Sequence, residues 1–283
     1  MKGHEKLRKE EIKKEIINAV SQVKSTRPMA PSITNSVTIN LVANAQIAVG
    51  GSAAMVYLPD EAETMAKVAS AMYINVGTLL PIYEETLPRC AKALFEEKKQ
   101  WVVDPVAVGI GGLRNKLLYD FKKYKPSIIR GNASEVMALA GLWELDGGEG
   151  EDEVRGVDSK DAVEDAKLAA ISIAKYTEGA VAISGEVDFV TDGKLGVYSY
   201  GGSHYFEKIT GAGCALAGVM AVYACCANPF IAALTGTNIF NFAGKIAEEK
   251  CSGPGSFEVE FLDALYNARA EEISSVEFEF EKL

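Results

Sequence analysis

Over residues 5–24, Ile12, Ile16, Val20 and Val23 recur at helical spacing among many charges, which predicts an amphipathic helix. Pro28 and Pro31 then impose extended backbone before Ser32-Ile33-Thr34-Asn35. From there short apolar runs alternate with helical patterns. The runs lie at 54–58, 72–77, 101–105 and 127–132; helices are predicted from about Asp60, from about Pro81, in a short segment after Pro105, and from Asn132 through Leu139. Such alternation is the signature of a parallel sheet with helices on its faces. After Gly141 an acidic, glycine-rich stretch reads as a surface loop, with its acidic core at 146–153. A helix from about Ser159 to Tyr176 leads to a run at 181–184, and 186–202 reads as short strands around a turn at Asp192-Gly193, the expected antiparallel edge of the sheet. A last amphipathic helix is expected over 257–274, with Phe257, Phe261, Leu262 and Leu265 on one face. No internal repeat or low-complexity linker interrupts the pattern, so one domain over 1–283 is expected.

Two stretches carry no charged residue, Pro28 to Pro59 and Ile209 to Gly244. The second is the one candidate for a membrane span, yet Asn228-Pro229 interrupts it, and Ala and Gly dominate where a span prefers Leu, Ile and Phe. Two helices buried inside a large domain fit it better. The charged N-terminal segment lacks the apolar region of a secretory signal. With 29 Lys+Arg against 39 Asp+Glu the net charge is −10, which argues against a nucleic-acid backbone or an anionic membrane as partner. Five cysteines without a C-x-x-C pair fit reduced thiols in a cytoplasmic protein. Only His4 and His204 are present, so a multi-histidine zinc site is excluded, and a serine triad would rest on His204 alone.

Candidate chemistry concentrates at three places. Thr210-Gly211-Ala212-Gly213-Cys214 precedes a long apolar helix. Its glycines can turn backbone N–H groups toward a ligand at a helix N-terminus, where an anion or a phosphoryl group is stabilised; the alternative is a tight turn needed for close packing. It is neither a Walker A loop nor a dinucleotide fingerprint. Asp104-Pro105 ends one strand and Asn132 to Glu135 follows another, so both belong at the carboxyl edge of the sheet, where two carboxylates and an amide suit Mg²⁺ beside substrate phosphates. A turn and a helix cap are the alternatives there. Arg130 directly follows an apolar strand, placing a guanidinium within reach of phosphate at the same edge, or in a surface ion pair. Cys214 at a helix start is expected to have a depressed thiol pKa, whereas Cys225 and Cys226 read as core of a helix interior.

Several segments, in order, make the chain similar to one family. They are Ile33-Thr34-Asn35, Ala54-Met55-Val56, Asn75-Val76-Gly77-Thr78, Asp104-Pro105-Val106, the run IIRGNASE at 128–135, Gly156-Val157-Asp158-Ser159, Ser184-Gly185-Glu186-Val187-Asp188 and Thr210-Gly211-Ala212-Gly213-Cys214. The sequence resembles the hydroxyethylthiazole kinases, small ATP-dependent kinases of the ribokinase-like superfamily that act in thiamine salvage. The resemblance implies a three-layer α/β/α fold with a mostly parallel central sheet, and transfer of a phosphoryl group from ATP, with Mg²⁺, to 4-methyl-5-(2-hydroxyethyl)thiazole. It further implies Asn35, Met55 and Gly211 near the thiazole, Arg130 and Ser184 near ATP, and Asp104 and Glu135 toward Mg²⁺. The catalytic segment would be Gly211, Ala212, Gly213 and Cys214, with Cys214 beside the substrate hydroxyl where the superfamily usually has an Asp base. A homotrimer with sites between protomers is implied as well. Two departures are Ser184, where Thr is common, and Ala107, where the family usually has Gly. Kinases for another small alcohol, such as a hydroxymethylpyrimidine or a sugar, and a non-catalytic nucleotide-binding subunit are the alternatives.

Overall fold

Alternation along the strands sorts side chains into two separate cores. In the computed structural model, which describes residues 2–148, 160–281 and 283, Ala71 and Tyr73 enter one core while Met72 and Ile74, between and after them, enter the other. Val102 likewise parts from Trp101 and Val103. A sheet buried on both faces must be covered by helices on both, and this is what the chain builds.

The strands are β1 (Met29–Ile33), β2 (Ser52–Met55), β3 (Ala71–Asn75), β4 (Gln100–Asp104), β5 (Ile128–Asn132), β6 (Ala180–Ser184), β7 (Asp188–Thr191), β8 (Gly196–Ser199) and β9 (Phe278–Glu281). They form a sheet of order β2-β1-β3-β4-β5-β6-β7-β8-β9, parallel through β6 and antiparallel from there. One face is covered by α1 (Lys2–Thr26), α2 (Ile39–Ala48), α9 (Ala212–Ala224), α10 (Pro229–Lys250), α11 (Pro254–Asn267) and α12 (Ala270–Ser275). The other carries α3 (Pro59–Val68), α4 (Tyr83–Glu96), α5 (Gly112–Phe121), α6 (Ala133–Leu142), α7 (Lys160–Asp165) and α8 (Lys167–Thr177). The result is a three-layer α/β/α fold.

The charge-free stretch from Ile209 supplies two buried helices, α9 and α10. Asn228 caps α10 by accepting from the Ile231 N–H at 3.0 Å, and Pro229 takes its first position, so the residues that argued against a span start a new helix. Among the described residues no helix is long and apolar enough to cross a membrane.

Five expectations need correction. Strand β2 starts two residues before the apolar run at 54–58, because its register with β1 pairs Ser52 with Met29 and Met55 with Ser32, and Pro59 already opens α3. The helix expected over 159–176 is two, α7 and α8, separated by a turn at Ala166; Ser159 lies outside the described residues, as do Gly156-Val157-Asp158 and the acidic loop from residue 149 onward. The helix expected over 257–274 also divides, since Ala268 leaves helical backbone and Arg269 begins α12 with a capping interaction to Glu272. The β7–β8 hairpin does turn at Asp192-Gly193, but it is not the edge: β9 pairs with β8 and covers it. Finally, Cys225 and Cys226 are not inside a helix; they follow the end of α9 and are half-buried.

Candidate active site

The carboxyl ends of the parallel strands bring the chemistry together, at the edge where ligands bind in open α/β sheets. Asn35 follows β1, Asn75 ends β3, Asp104 ends β4, Asn132 ends β5 and Ser184 ends β6, with Asn75 paired to Asp104 and Asn132 to Ser184 in register. The N-terminus of α9 meets this row from one side. Gly211 stands just before it at φ +92°, and an added Cβ there would lie 2.5 Å from Thr38 Cγ2, so only glycine fits the turn. The first intrahelical bond, Ala215 N–H to Gly211 O at 2.8 Å, leaves the N–H groups of Ala212, Gly213 and Cys214 without an acceptor inside the helix.

Arg130 lies over this turn. A Cβ on Gly213 would sit 2.2 Å from its Nη1, so the missing side chain is the space the guanidinium uses. Its Nε donates to Ser184 Oγ at 3.2 Å. Burial works against its charge, but Asp104 and Glu135 outweigh that and hold the guanidinium charged more firmly than usual. The surface ion pair considered for Arg130 is not what the fold builds.

Asp104 is fully buried. Its Oδ2 accepts from Tyr73 Oη at 3.2 Å and Asn75 Nδ2 at 2.9 Å, while Oδ1, equally buried, has no hydrogen-bond partner among the described residues. Burial pushes its carboxyl up to about 7, against the pull of Arg130, and Glu135 adds to the rise. Burial, reinforced by Asp104, also holds the Tyr73 hydroxyl well above its ordinary range.

Glu135 does two jobs. Its Oε2 accepts from the Asn132 N–H at 3.0 Å while Asn132 Oδ1 accepts from the Glu135 N–H at 2.8 Å, a reciprocal cap on α6 that Ser134 supports by donating to the same Oδ1. Its Oε1 accepts from the Ala107 N–H at 3.3 Å and so ties down the loop after Asp104. The cap reading of Asn132 is therefore correct alongside the crevice location. Glutamine offers one oxygen where two N–H groups need acceptors, so Glu135→Gln is expected to cost about 1 kcal/mol of stability, read by urea unfolding, together with about tenfold or more in turnover. Unchanged unfolding would show that the second acceptor is dispensable. Ala107 itself has φ +59°, a backbone region in which glycine is free of strain, and this gives the loop its shape despite the departure from the family's usual Gly.

Cys214 corrects an expectation. Its sulfur accepts from Asn75 Nδ2 at 3.3 Å and Asn35 Nδ2 at 3.5 Å. Yet its thiol is pushed up to about 11, by burial first and Asp104 second; the nearby Arg130 and the Thr38 and Asn35 contacts pull the other way without prevailing. The helix start does not yield a reactive thiolate here, although Cys225, lifted by burial to about 12, is still less acidic. Met55 ends the outer strand β2, half-buried at the same edge but outside the hydrogen-bond network. His204 is exposed and pairs with Glu248 at 2.9 Å on the surface.

Three residues absent from the expected site take part in it. Tyr73 and Asn75 bind Asp104 as described, and Asp188 holds the turn after Ser184 by accepting from the Gly185 N–H at 3.2 Å and Asn241 Nδ2 at 3.0 Å. Partial burial pushes the Asp188 carboxyl up to about 6.

A family model for hydroxyethylthiazole kinases matches residues 20–271, nearly the whole chain. The chain belongs to the hydroxyethylthiazole kinase family. A hydroxyethylthiazole kinase of Bifidobacterium longum subsp. infantis is 48% identical over 284 aligned positions, covering 94% of this chain and 90% of that protein. One from Leptospira interrogans is 42% identical, covering 89% and 92%. Among solved structures, a hydroxyethylthiazole kinase protein from Pyrococcus horikoshii superimposes with a TM-score of 0.84 at 28% identity, covering 95% of this chain and all of that one. A pyridoxal kinase from Staphylococcus aureus, solved in complex with ADP, shares the fold at a TM-score of 0.54 and 18% identity, covering 77% and 88%. The hydroxyethylthiazole kinase fold is thus a ribokinase-like one, with the crevice at the carboxyl edge of its sheet.

Proposed function

We propose that this single-domain chain transfers the γ-phosphoryl group of ATP to the primary alcohol of 4-methyl-5-(2-hydroxyethyl)thiazole, as a cytoplasmic enzyme of thiamine salvage. The observation that carries the reading is the α9 turn, whose free N–H groups lie under Arg130 and beside a buried Asp104, in a chain of this family. Phosphoryl transfer asks the protein for alignment and charge stabilisation more than for covalent chemistry. The N–H groups of Ala212, Gly213 and Cys214 face developing charge on the transferring group, and Arg130, steadied by Ser184, neutralises the nucleotide. Asn35, Met55 and Gly211 line the alcohol side.

Asp104 and Glu135 would hold Mg²⁺. The fit is favourable at Asp104, whose buried Oδ1 has no hydrogen-bond partner among the described residues and is an oxygen donor awaiting a ligand. When bound, the ion supplies charge neutralisation between the phosphates. Cys214, protonated at neutral pH, is poorly suited as the base that removes the hydroxyl proton. A proton lost late, after the phosphoryl group has begun to transfer, can leave to a phosphate oxygen or to water and needs no thiolate.

A coupled ADP-release assay across thiazole, pyrimidine and sugar alcohols tests the reading. Turnover highest with the thiazole alcohol supports it; preference for another alcohol, or ATP binding with no turnover, overturns it. A homotrimer is part of the same proposal. The outer strand β2 is half-exposed, and Val37, Ile47 and Leu58 around it are exposed apolar residues in a charge-free stretch. Light scattering at micromolar concentration is expected to give the mass of three chains, and a monomer mass would remove the shared site.

A further inference from the structure

Asn75 is 1% exposed and is the most connected side chain in the crevice. The orientation of its amide is forced. Oδ1 accepts from the Gly77 backbone N–H at 2.8 Å, a group that can only donate, and from Asn35 Nδ2 at 3.1 Å. Asn35 is locked in the same way, because its own Oδ1 accepts from the Val37 and Thr38 N–H groups at 3.1 and 3.2 Å. Neither amide can flip, so both NH₂ groups face inward. That of Asn75 meets Tyr73 Oη at 2.9 Å, Asp104 Oδ2 at 2.9 Å and Cys214 Sγ at 3.3 Å: three acceptors for two hydrogens.

We infer that Asn75 is a positioning residue for phosphoryl transfer, a role that rests on the kinase reading: through one NH₂ group it fixes the Cys214 sulfur relative to the Asp104 carboxyl. Those two groups come from different elements, the sulfur from the start of α9 and the carboxyl from the end of β4, and among the described residues no other side chain hydrogen-bonds to both. The acceptor alcohol must lie between the sulfur and the transferring group, where a misplacement of an ångström costs rate before it costs binding.

The test is a double-mutant cycle. Asn75→Ala is expected to lower kcat about tenfold or more with the KM for ATP changed less than about twofold, and in a Cys214→Ala background the same change is expected to lower kcat less than about threefold. An equal loss in both backgrounds, or no loss with Cys214 present, overturns the inference. A second arm needs no turnover. Asn75→Asp keeps the shape but replaces the donor facing the sulfur with an acidic acceptor, and should slow iodoacetamide labelling of Cys214 about fivefold or more. An unchanged labelling rate overturns the inference. That arm decides the matter if Cys214→Ala alone abolishes turnover, if Asn75→Ala fails to fold, or if the parent protein does not phosphorylate the thiazole alcohol; the last result would sink the kinase reading separately.

Discussion

Asp104→Asn is expected to lose turnover by about a hundredfold or more and yet to melt at a higher temperature than the parent at pH 8. The two effects share a cause. Asp104 is fully buried with one oxygen unpartnered, and burial lifts its carboxyl from 3.8 to about 7. Because the folded pKa is raised, the unfolded chain releases this proton near pH 4 and the folded one only near pH 7. Stability therefore falls as pH rises between those values, and the full penalty, at most about 4 kcal/mol for a shift of this size, is present above pH 7. Asparagine keeps the shape, still accepts from Asn75 and Tyr73, and carries no charge. Without Mg²⁺ or nucleotide, differential scanning calorimetry should show a gain of a few degrees at pH 8 that shrinks toward pH 4. A gain independent of pH, or a lower melting temperature at pH 8, would mean that the carboxylate is better accommodated than its surroundings indicate. Loss of activity alongside gained stability is what a site held ready for a ligand predicts.

The apolar rhythm of the chain was enough to read the layered sheet, because period-two alternation in Ala71 to Ile74 and period-three-and-four spacing in α1 each dictate which side is buried. Strand β9 does not stand out in the sequence although Phe278-Glu279-Phe280-Glu281 alternates cleanly, because four residues are too short a run to mark a strand by themselves. At the crevice, polar residues at or near the carboxyl ends of apolar strands, such as Asp104 and Arg130, were visible because strand ends are, whereas Ser184 came only with the family resemblance. Tyr73 was not visible, since an aromatic in mid-strand looks like core and only the register of β3 on β4 puts its hydroxyl against Asp104. Asn75 belongs to one of the family-like segments, but its bonds to Asn35 and Cys214 join segments far apart in sequence. The acidity expected of Cys214 from its helix start is not realised for a physical reason: a helix dipole acts at an exposed terminus, and this terminus is sunk beside a carboxyl group that raises the thiol further.

Gly213→Ala is expected to leave the fold nearly untouched and to cripple the use of ATP. The substitution lies in the first turn of α9, where alanine is a better helix former than glycine by about 1 kcal/mol and the backbone needs no left-handed angle. The obstacle is across the crevice: the new methyl would lie 2.2 Å from Arg130 Nη1 and 2.7 Å from Cζ. A guanidinium is the end of a flexible side chain, so it moves, and in moving it leaves the α9 N–H groups and its bond to Ser184. The expected result is a fall in kcat/KM for ATP of about a hundredfold, with a melting temperature within about 2 °C of the parent. Gly211→Ala makes the contrast, because there the backbone is at φ +92° and the clash is with Thr38 beside the main chain, so stability itself should drop by about 1–3 kcal/mol. If Gly213→Ala keeps its ATP kinetics, Arg130 does not work from the place the glycine leaves open, and the nucleotide must be neutralised by another group.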